Sequence, residues 1–188
     1  MISRVRSKVG SVAFVVRNLA LVRKVGVIEQ QEFDGLRFRG YVDADFYSVS
    51  EIYSNLNGNS MFPQLYRYLY RCIGKRCLFL VEQENMRGMP RIVGMNMYYF
   101  NRRDVMEGTV HEGFVGVLPE VGGRGIATKM RQMAIQHFKA AGFSGVSTRI
   151  SSNNAASLAS AEKIGFQRIE EYFERSTGEQ RCYMICQF

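Results

Sequence analysis

The chain has 188 residues, 46% of them hydrophobic, and a formal net charge of +8. This composition describes one domain of ordinary size with enough apolar material to bury a real core. Four cysteines, at positions 72, 77, 182 and 186, lack the dense, even spacing of a secreted disulfide scaffold, so a reducing cytoplasm is the expected setting.

Read in chain order, the first 28 residues carry Arg4, Arg6, Lys8, Arg17, Arg23 and Lys24 and no acid, which is six of the eight net charges. The apolar run 9–16 is too short to span a bilayer and no small-residue cleavage site follows it, so neither a membrane span nor a signal peptide is expected. The segment 1–28 reads as a basic leader outside a single domain over 29–188. Such a leader suits peripheral contact with the inner face of an anionic membrane, its own domain, or a second copy in a homodimer. Nucleic acid is not an expected partner, because the basic residues are not interleaved with stacking aromatics.

Residues 36–42 read as a first strand, and Asp43 and Asp45 cap a helix with apolar positions Phe46, Val49, Ile52 and Leu56. Residues 57–60 break it, and a second helix over 62–73 carries Pro63 in its first turn. Strands at 77–83 and 91–100 form a hairpin about a turn at 84–90, and a further strand runs over 109–118. Then come a glycine-rich loop, a helix with Ile126, Met130, Met133, Ala134, His137 and Ala141 at helical spacing, and a strand at 144–150. A helix from Asn154 and a hairpin of 166–175 with 180–187 close the chain, and no repeat interrupts it.

The loop carries the chemistry. Gly122, Gly123 and Gly125 let the backbone turn sharply and bring N–H groups close to an anion. The helix that follows adds its N-terminal partial positive charge, and Arg124 can add a formal one. It is not a Walker loop, since Ile126-Ala127 stands where Lys-Ser/Thr is needed, and the G-x-G-x-x-G dinucleotide spacing is absent. A second block, Asn154-Ala-Ala-Ser157 through Glu162-Lys163-Ile164-Gly165-Phe166, starts a helix with a good cap and ends it at a glycine stop.

The run Gly122 to Ala127 resembles the coenzyme A loop of the GNAT N-acyltransferases, written Q/R-x-x-G-x-G/A, with Gly125 and Ala127 on the two small positions. The Asn154 block resembles the same family's N-x-x-A/S-x-x-x-Y-E-K-x-G-F signature. The resemblance implies an α/β fold with a mixed sheet in the order β-α-α-β-β-β-α-β-α-β-β. It also implies transfer of an acetyl group from acetyl-CoA to a primary amine by direct attack in a ternary complex. It places coenzyme A on Gly122, Gly123, Arg124, Gly125, Ile126 and Ala127, on Asn154 and Ser157, and on the main chain of Val117 within the splayed segment 114–117. The departures are Gly122, where the family has Gln or Arg, and Ala161, where it commonly has the tyrosine that protonates the leaving thiolate.

Acyl transfer needs an unprotonated amine, and the resemblance implies a base on the strand before the loop. Glu112 is the first candidate and His111 its rival, and in a regular strand the two face opposite sides. His137 falls on an apolar helix stripe and reads as packed. No metal site is expected, since Cys182 and Cys186 could draw only on His111 and His137 for further ligands. The resemblance implies an acceptor pocket built from the first two helices and the last hairpin, which makes Tyr66, Arg67 and Tyr172 the acceptor-binding candidates, and tyrosine with arginine suits a planar or anionic small molecule such as an amino sugar nucleotide or an acidic amine. The alternatives are acetylation of a protein N-terminus or lysine, and a non-catalytic acyl-CoA-binding module, which the changes at Gly122 and Ala161 would suit.

Overall fold

The computed structural model describes residues 2–84 and 88–188, with side chains described from Gly10 onward. Residues 85–87 of the expected 84–90 turn, and the side chains of Arg4, Arg6 and Lys8, lie outside the described residues.

The chain forms α1 (Ile2–Leu21), β1 (Gln31–Phe33), β2 (Leu36–Gly40), α2 (Phe46–Leu56), α3 (Gln64–Cys77), β3 (Leu78–Glu84), β4 (Pro90–Tyr99) and α4 (Arg102–Glu107). There follow β5 (Thr109–Val117), α5 (Ile126–Ala140), β6 (Gly145–Ser151), α6 (Ala155–Lys163), β7 (Gln167–Glu174) and β8 (Glu179–Gln187). The expected order is present, with α1, β1 and α4 added to it. The strands make one eight-stranded sheet in the order β1-β2-β3-β4-β5-β6-β8-β7. β5 and β6 run parallel, and the other neighbouring pairs run antiparallel.

Alternation along β4 assigns the helices to faces. Tyr98 packs on Phe138 of α5, whereas the adjacent Tyr99 packs on Phe14 of α1 and stacks on Tyr66 of α3. α5 buries Ile126, Met130, Met133, Ala134 and Phe138, an i, i+4, i+7, i+8 stripe worth roughly 1.5–3 kcal/mol for each large side chain. No helix among the described residues is long and apolar enough to cross a membrane.

The expected boundary between a leader 1–28 and a domain 29–188 does not divide the structure. Val22, Val25 and Ile28 belong to the buried core, and Asn18 is fully buried. Asn18 Nδ2 donates to the Phe100 carbonyl at 3.1 Å, and the Phe100 N–H donates back to Asn18 Oδ1 at 2.8 Å. The reason is periodic: Phe14, Asn18, Val22 and Val25 fall on one side of the segment and meet the sheet.

What positions the site is the parting of β5 from β6. The two strands pair only over Thr109–Glu112 against Gly145–Thr148. Beyond that point β6 stays with β8, while β5 continues along β4 from Phe114 to Val117. The register of β4 against β5 slips by one at Gly113, a bulge that re-aims β5 as the wedge opens. Glycine is required there, because a Cβ would fall 2.1 Å from the Tyr99 ring.

Candidate active site

The wedge holds a cavity of about 290 Å³ between Leu56 and Asn57 at the end of α2, Glu112 to Val115 of β5, Arg149 and Ser151 of β6, Asn154 and Ser157 at α6, Arg131 of α5, and Arg181 of β8. The Leu118 N–H donates to the Val93 carbonyl of β4 at 2.8 Å. Alternation along β5 therefore turns the N–H groups of Val117 and Val115 away from β4 and into the wedge. These are unspent main-chain donors where a carbonyl oxygen could gain charge.

At the wide end β5 runs into the glycine loop. Gly123 (φ +75°) and Gly125 (φ +73°) adopt the left-handed region with open space where a Cβ would be, whereas Gly122 has an ordinary φ of −63°. Gly125 leads straight into α5, whose first intrahelical bond runs from the Lys129 N–H to the Gly125 carbonyl. The N–H groups of Ile126, Ala127 and Thr128 thus have no helical partner, which is the cradle a pyrophosphate needs. Arg124 is engaged elsewhere: its Nε donates to Asp34 Oδ2 at 2.8 Å and its Nη2 to the Asp34 carbonyl at 2.6 Å, tying the loop to the β1–β2 turn.

Asn154 caps α6, its Oδ1 accepting from the Ser157 N–H at 3.0 Å. Ser157 also takes Arg131, whose Nη2 donates to Ser157 Oγ and whose Nη1 donates to its carbonyl, both at 3.3 Å.

The expected role of Glu112 as a free base does not survive its surroundings. Its carboxylate lies on the α5 face, where Arg131 Nε reaches Oε1 at 3.0 Å and Nη2 reaches Oε2 at 2.8 Å. Asn96 Nδ2 and the Tyr98 hydroxyl donate to the same Oε1 at 2.9 and 3.2 Å. Burial opposes the charge, but Arg131 and these donors hold the carboxyl below its ordinary range. A carboxylate so satisfied is a poor proton acceptor. His111 points to the other face, as alternation requires, with Nδ1 2.8 Å from Ser147 Oγ and its ring against Tyr99.

Two acceptor candidates also lie elsewhere than expected. Tyr66 is packed among Phe14, Phe62, Tyr70 and Tyr99, and the Arg67 guanidinium sits 4.2 Å over the Phe46 ring, on the flank of α2 and α3. Tyr172 is different. It stands opposite Arg181 on the β7–β8 ladder, and its hydroxyl is buried without a partner, as are Arg181 Nε and Ser152 Oγ. Arg181 lines the cavity beside Arg149, and only its Nη2 is engaged, 3.3 Å from Glu179. At Ala161 the side chain is fully buried, and Arg131 Nη1 donates to the neighbouring Ser160 Oγ at 3.1 Å. His137 packs on Phe79 and bonds the Arg76 carbonyl, as its place on the stripe implied.

Sequence reasoning passed over Arg131, Arg149 and Arg181. Arg131 carries one signal, a charge at the edge of an apolar stripe, and the other two become site residues only through cross-strand register.

The model of the acetyltransferase (GNAT) family matches residues 46–166. The Arabidopsis thaliana NAA60 protein in complex with acetyl-CoA is similar in structure at a TM-score of 0.71 and 10% identity, covering 81% of this chain and 99% of that one. The NatC complex bound to Gag peptide and CoA gives 0.69 at 17% identity, covering 81% and 98%. The ribosomal-protein-S18-alanine N-acetyltransferase of Escherichia coli gives 0.64 at 14% identity, covering 81% and 93%. A search of the curated proteins finds no match to the sequence.

Proposed function

We propose, from the premise that the chain belongs to the acetyltransferase (GNAT) family, that its acceptor is an amine bearing an anionic group held by Arg149, Arg181 and Tyr172. Acetyl-CoA supplies an activated acetyl thioester. The loop 122–127 and the first turn of α5 offer main-chain N–H groups to its phosphates, and Gly123 and Gly125 keep that approach clear of side chains. The N–H groups of Val115 and Val117 suit the carbonyl oxygen as it gains negative charge. Arg131 acts on structure, joining β5, α5 and α6 around the cavity.

The observation that carries the acceptor class is the set of unspent donors at one wall. Arg149 and Arg181 line one wall of the cavity, and Arg181 Nε is buried without a partner, as is the hydroxyl of Tyr172, which stands opposite Arg181 on the β7–β8 ladder. A carboxylate or phosphate satisfies such donors with charge-assisted bonds, whereas a neutral amine leaves them orphaned.

The test is a panel of acetyl-CoA with β-alanine against β-alaninamide, O-phosphoethanolamine against ethanolamine, and a short peptide with a free N-terminus, following thiol release. The anionic member of each pair should be preferred. Arg181→Gln should raise its KM about tenfold, since one charge-assisted bond is worth about 1.5–3 kcal/mol, and leave acetyl-CoA affinity unchanged. Equal turnover within each pair removes the anionic acceptor. A protein α-amine is the second reading, because the similar NatC structure holds a peptide and the E. coli enzyme is named for a protein alanine. Preference for the peptide would establish it.

A further inference from the structure

The guanidinium of Arg131 is spent on two sides. One side grips Glu112, with Nε 3.0 Å from Oε1 and Nη2 2.8 Å from Oε2. The other reaches α6, where Nη2 donates to Ser157 Oγ at 3.3 Å, and Nη1 donates to the Ser157 carbonyl at 3.3 Å and to Ser160 Oγ at 3.1 Å. A guanidinium has donors only, so the Ser157 oxygen accepts and its own proton points elsewhere. No described residue takes that proton. Three hydroxyls line the cavity, those of Thr148, Ser151 and Ser157. Thr148 gives its proton to the Glu112 carbonyl at 3.3 Å, and of the other two only Ser157 is bonded to a buried cation. Ser157 is therefore the hydroxyl best prepared to donate to a negative charge arising in the cavity.

Its place in the fold puts it on the route of the coenzyme. The phosphate cradle lies at the first turn of α5, and Thr128 of that turn meets α6 at Ser160, with the two hydroxyl oxygens 3.3 Å apart. Ser157 lies one turn before Ser160 on the same face of α6. An arm that runs from the cradle to the cavity follows this seam past Ser160 to Ser157, and the sulfur is its last atom before the acetyl group. The acetyl oxygen is taken on the β5 wall by the N–H groups of Val115 and Val117, which leaves the sulfur toward α6. Ala161, one turn further along α6, is fully buried and brings no donor.

We propose that the Ser157 hydroxyl, oriented by Arg131, donates a hydrogen bond to the thioester sulfur as it leaves; the inference rests on the acetyltransferase reading of the cavity. The amine nitrogen forms its bond to the acetyl carbon, the carbon–sulfur bond breaks, and the sulfur keeps the electron pair as a thiolate. Ser157 retains its proton and shares it with that thiolate. The surplus proton of the nitrogen goes to water, and the thiolate takes one from water on release. Ser157 touches a reacting atom, and Arg131 is a positioning residue. The other charged groups facing the cavity are Glu112 of β5, whose charge Arg131 offsets, Arg149 of β6 and Arg181 of β8. Both of these arginines also favour a thiolate, so a substitution at Ser157 itself separates the contributions.

Calorimetry of the full chain with CoA and with desulfo-CoA, which lacks the thiol, isolates the sulfur, because other titrating groups cancel in the ratio of the two affinities. A hydrogen bond to the thiolate lowers the pKa of the bound thiol below that of the free one. CoA binding then releases a proton and tightens as pH rises between those two values. The ratio should rise about tenfold between pH 6 and pH 10, equivalent to about one pKa unit, and by about threefold or less in Ser157→Ala. Ser157→Thr, which keeps the hydroxyl, should restore the rise. A flat ratio in the unaltered chain overturns the proposal, and an undiminished rise in Ser157→Ala overturns it in favour of Arg149 and Arg181. Ser157→Ala should also lower kcat about tenfold on the best amine of the panel, and an unchanged kcat overturns the proposal as well. If no panel amine turns over, the acceptor reading fails and the affinity ratio still decides the role of Ser157. If CoA does not bind at any pH, the acetyltransferase reading falls and takes this one with it.

Discussion

Glu112 and Arg131 expose about 1% of their side chains, so neither charge can fall back on water when the other is removed. Glu112→Gln should therefore cost about 3–5 kcal/mol, the penalty of a buried charge left alone, which in a domain of this size lowers Tm by roughly 10 °C. Glu112→Gln with Arg131→Met should recover most of that loss. Because the carboxyl is held below its unfolded value, its stabilisation is present above about pH 4 and is lost as pH falls through the lower folded value. Thermal melts between pH 2 and 7 should accordingly be flatter on the acid side for Glu112→Gln than for the unaltered chain. Equal Tm at pH 7 would mean that the pair is not a brace. Alternation alone divided His111 from Glu112 between the two faces, and that much was legible in the sequence. Which face carried the counter-charge was not, because Arg131 lies 19 positions away and Asn96 and Tyr98 come from a neighbouring strand whose register no periodicity records.

At the scale of elements, the β5–loop–α5 unit is the best-written part of the chain. Two of its three glycines occupy backbone states that an L side chain reaches only with strain, about 1–2 kcal/mol each. Gly125→Glu should abolish coenzyme A binding, since it combines that strain with a like charge at the cradle. Gly35→Ala, at φ +70° in the β1–β2 turn with equally open space, carries the same strain away from the cradle and should leave affinity nearly intact. Titration calorimetry on both separates loss of the site from loss of stability. Two added elements had weak signals. α4 has six residues, too few to show a helical period, and is made by an Asn101–Asp104 capping box and a left-handed Gly108 stop. β1 has three residues and exists through its pairing with β2. The second helix ended four residues later than its spacing predicted, because Ile73, Gly74 and Cys77 continue the buried stripe.

For the whole molecule, the consequence lies in how the N-terminal helix closes the sheet. Phe14 covers Tyr66 and Tyr99, Asn18 is locked to Phe100 by two hydrogen bonds, and Val22, Val25 and Ile28 belong to the core, Ile28 beside Gly40 at the end of β2. Three large buried apolar side chains contribute roughly 1.5–3 kcal/mol each, and the net stability of a domain is only about 5–15 kcal/mol. Deleting 1–28 should therefore yield an unfolded or aggregated product. Deleting 1–9, which removes Arg4, Arg6 and Lys8 and leaves Phe14 and Asn18 in place, should keep the fold and the acetyl-CoA affinity. The segment this shorter deletion removes is basic in sequence, and Val12 and Val16, which follow it, are 63% and 59% exposed. Each basic residue lost near an anionic bilayer removes at most about 1 kcal/mol, and salt screens that attraction. Sedimentation with phosphatidylserine vesicles at low and high salt, alongside circular dichroism of both truncations, checks the two claims together. A folded 1–28 deletion would show that α1 is an appendage. Equal vesicle binding by the full chain and the 1–9 deletion would take the membrane contact away from the leader.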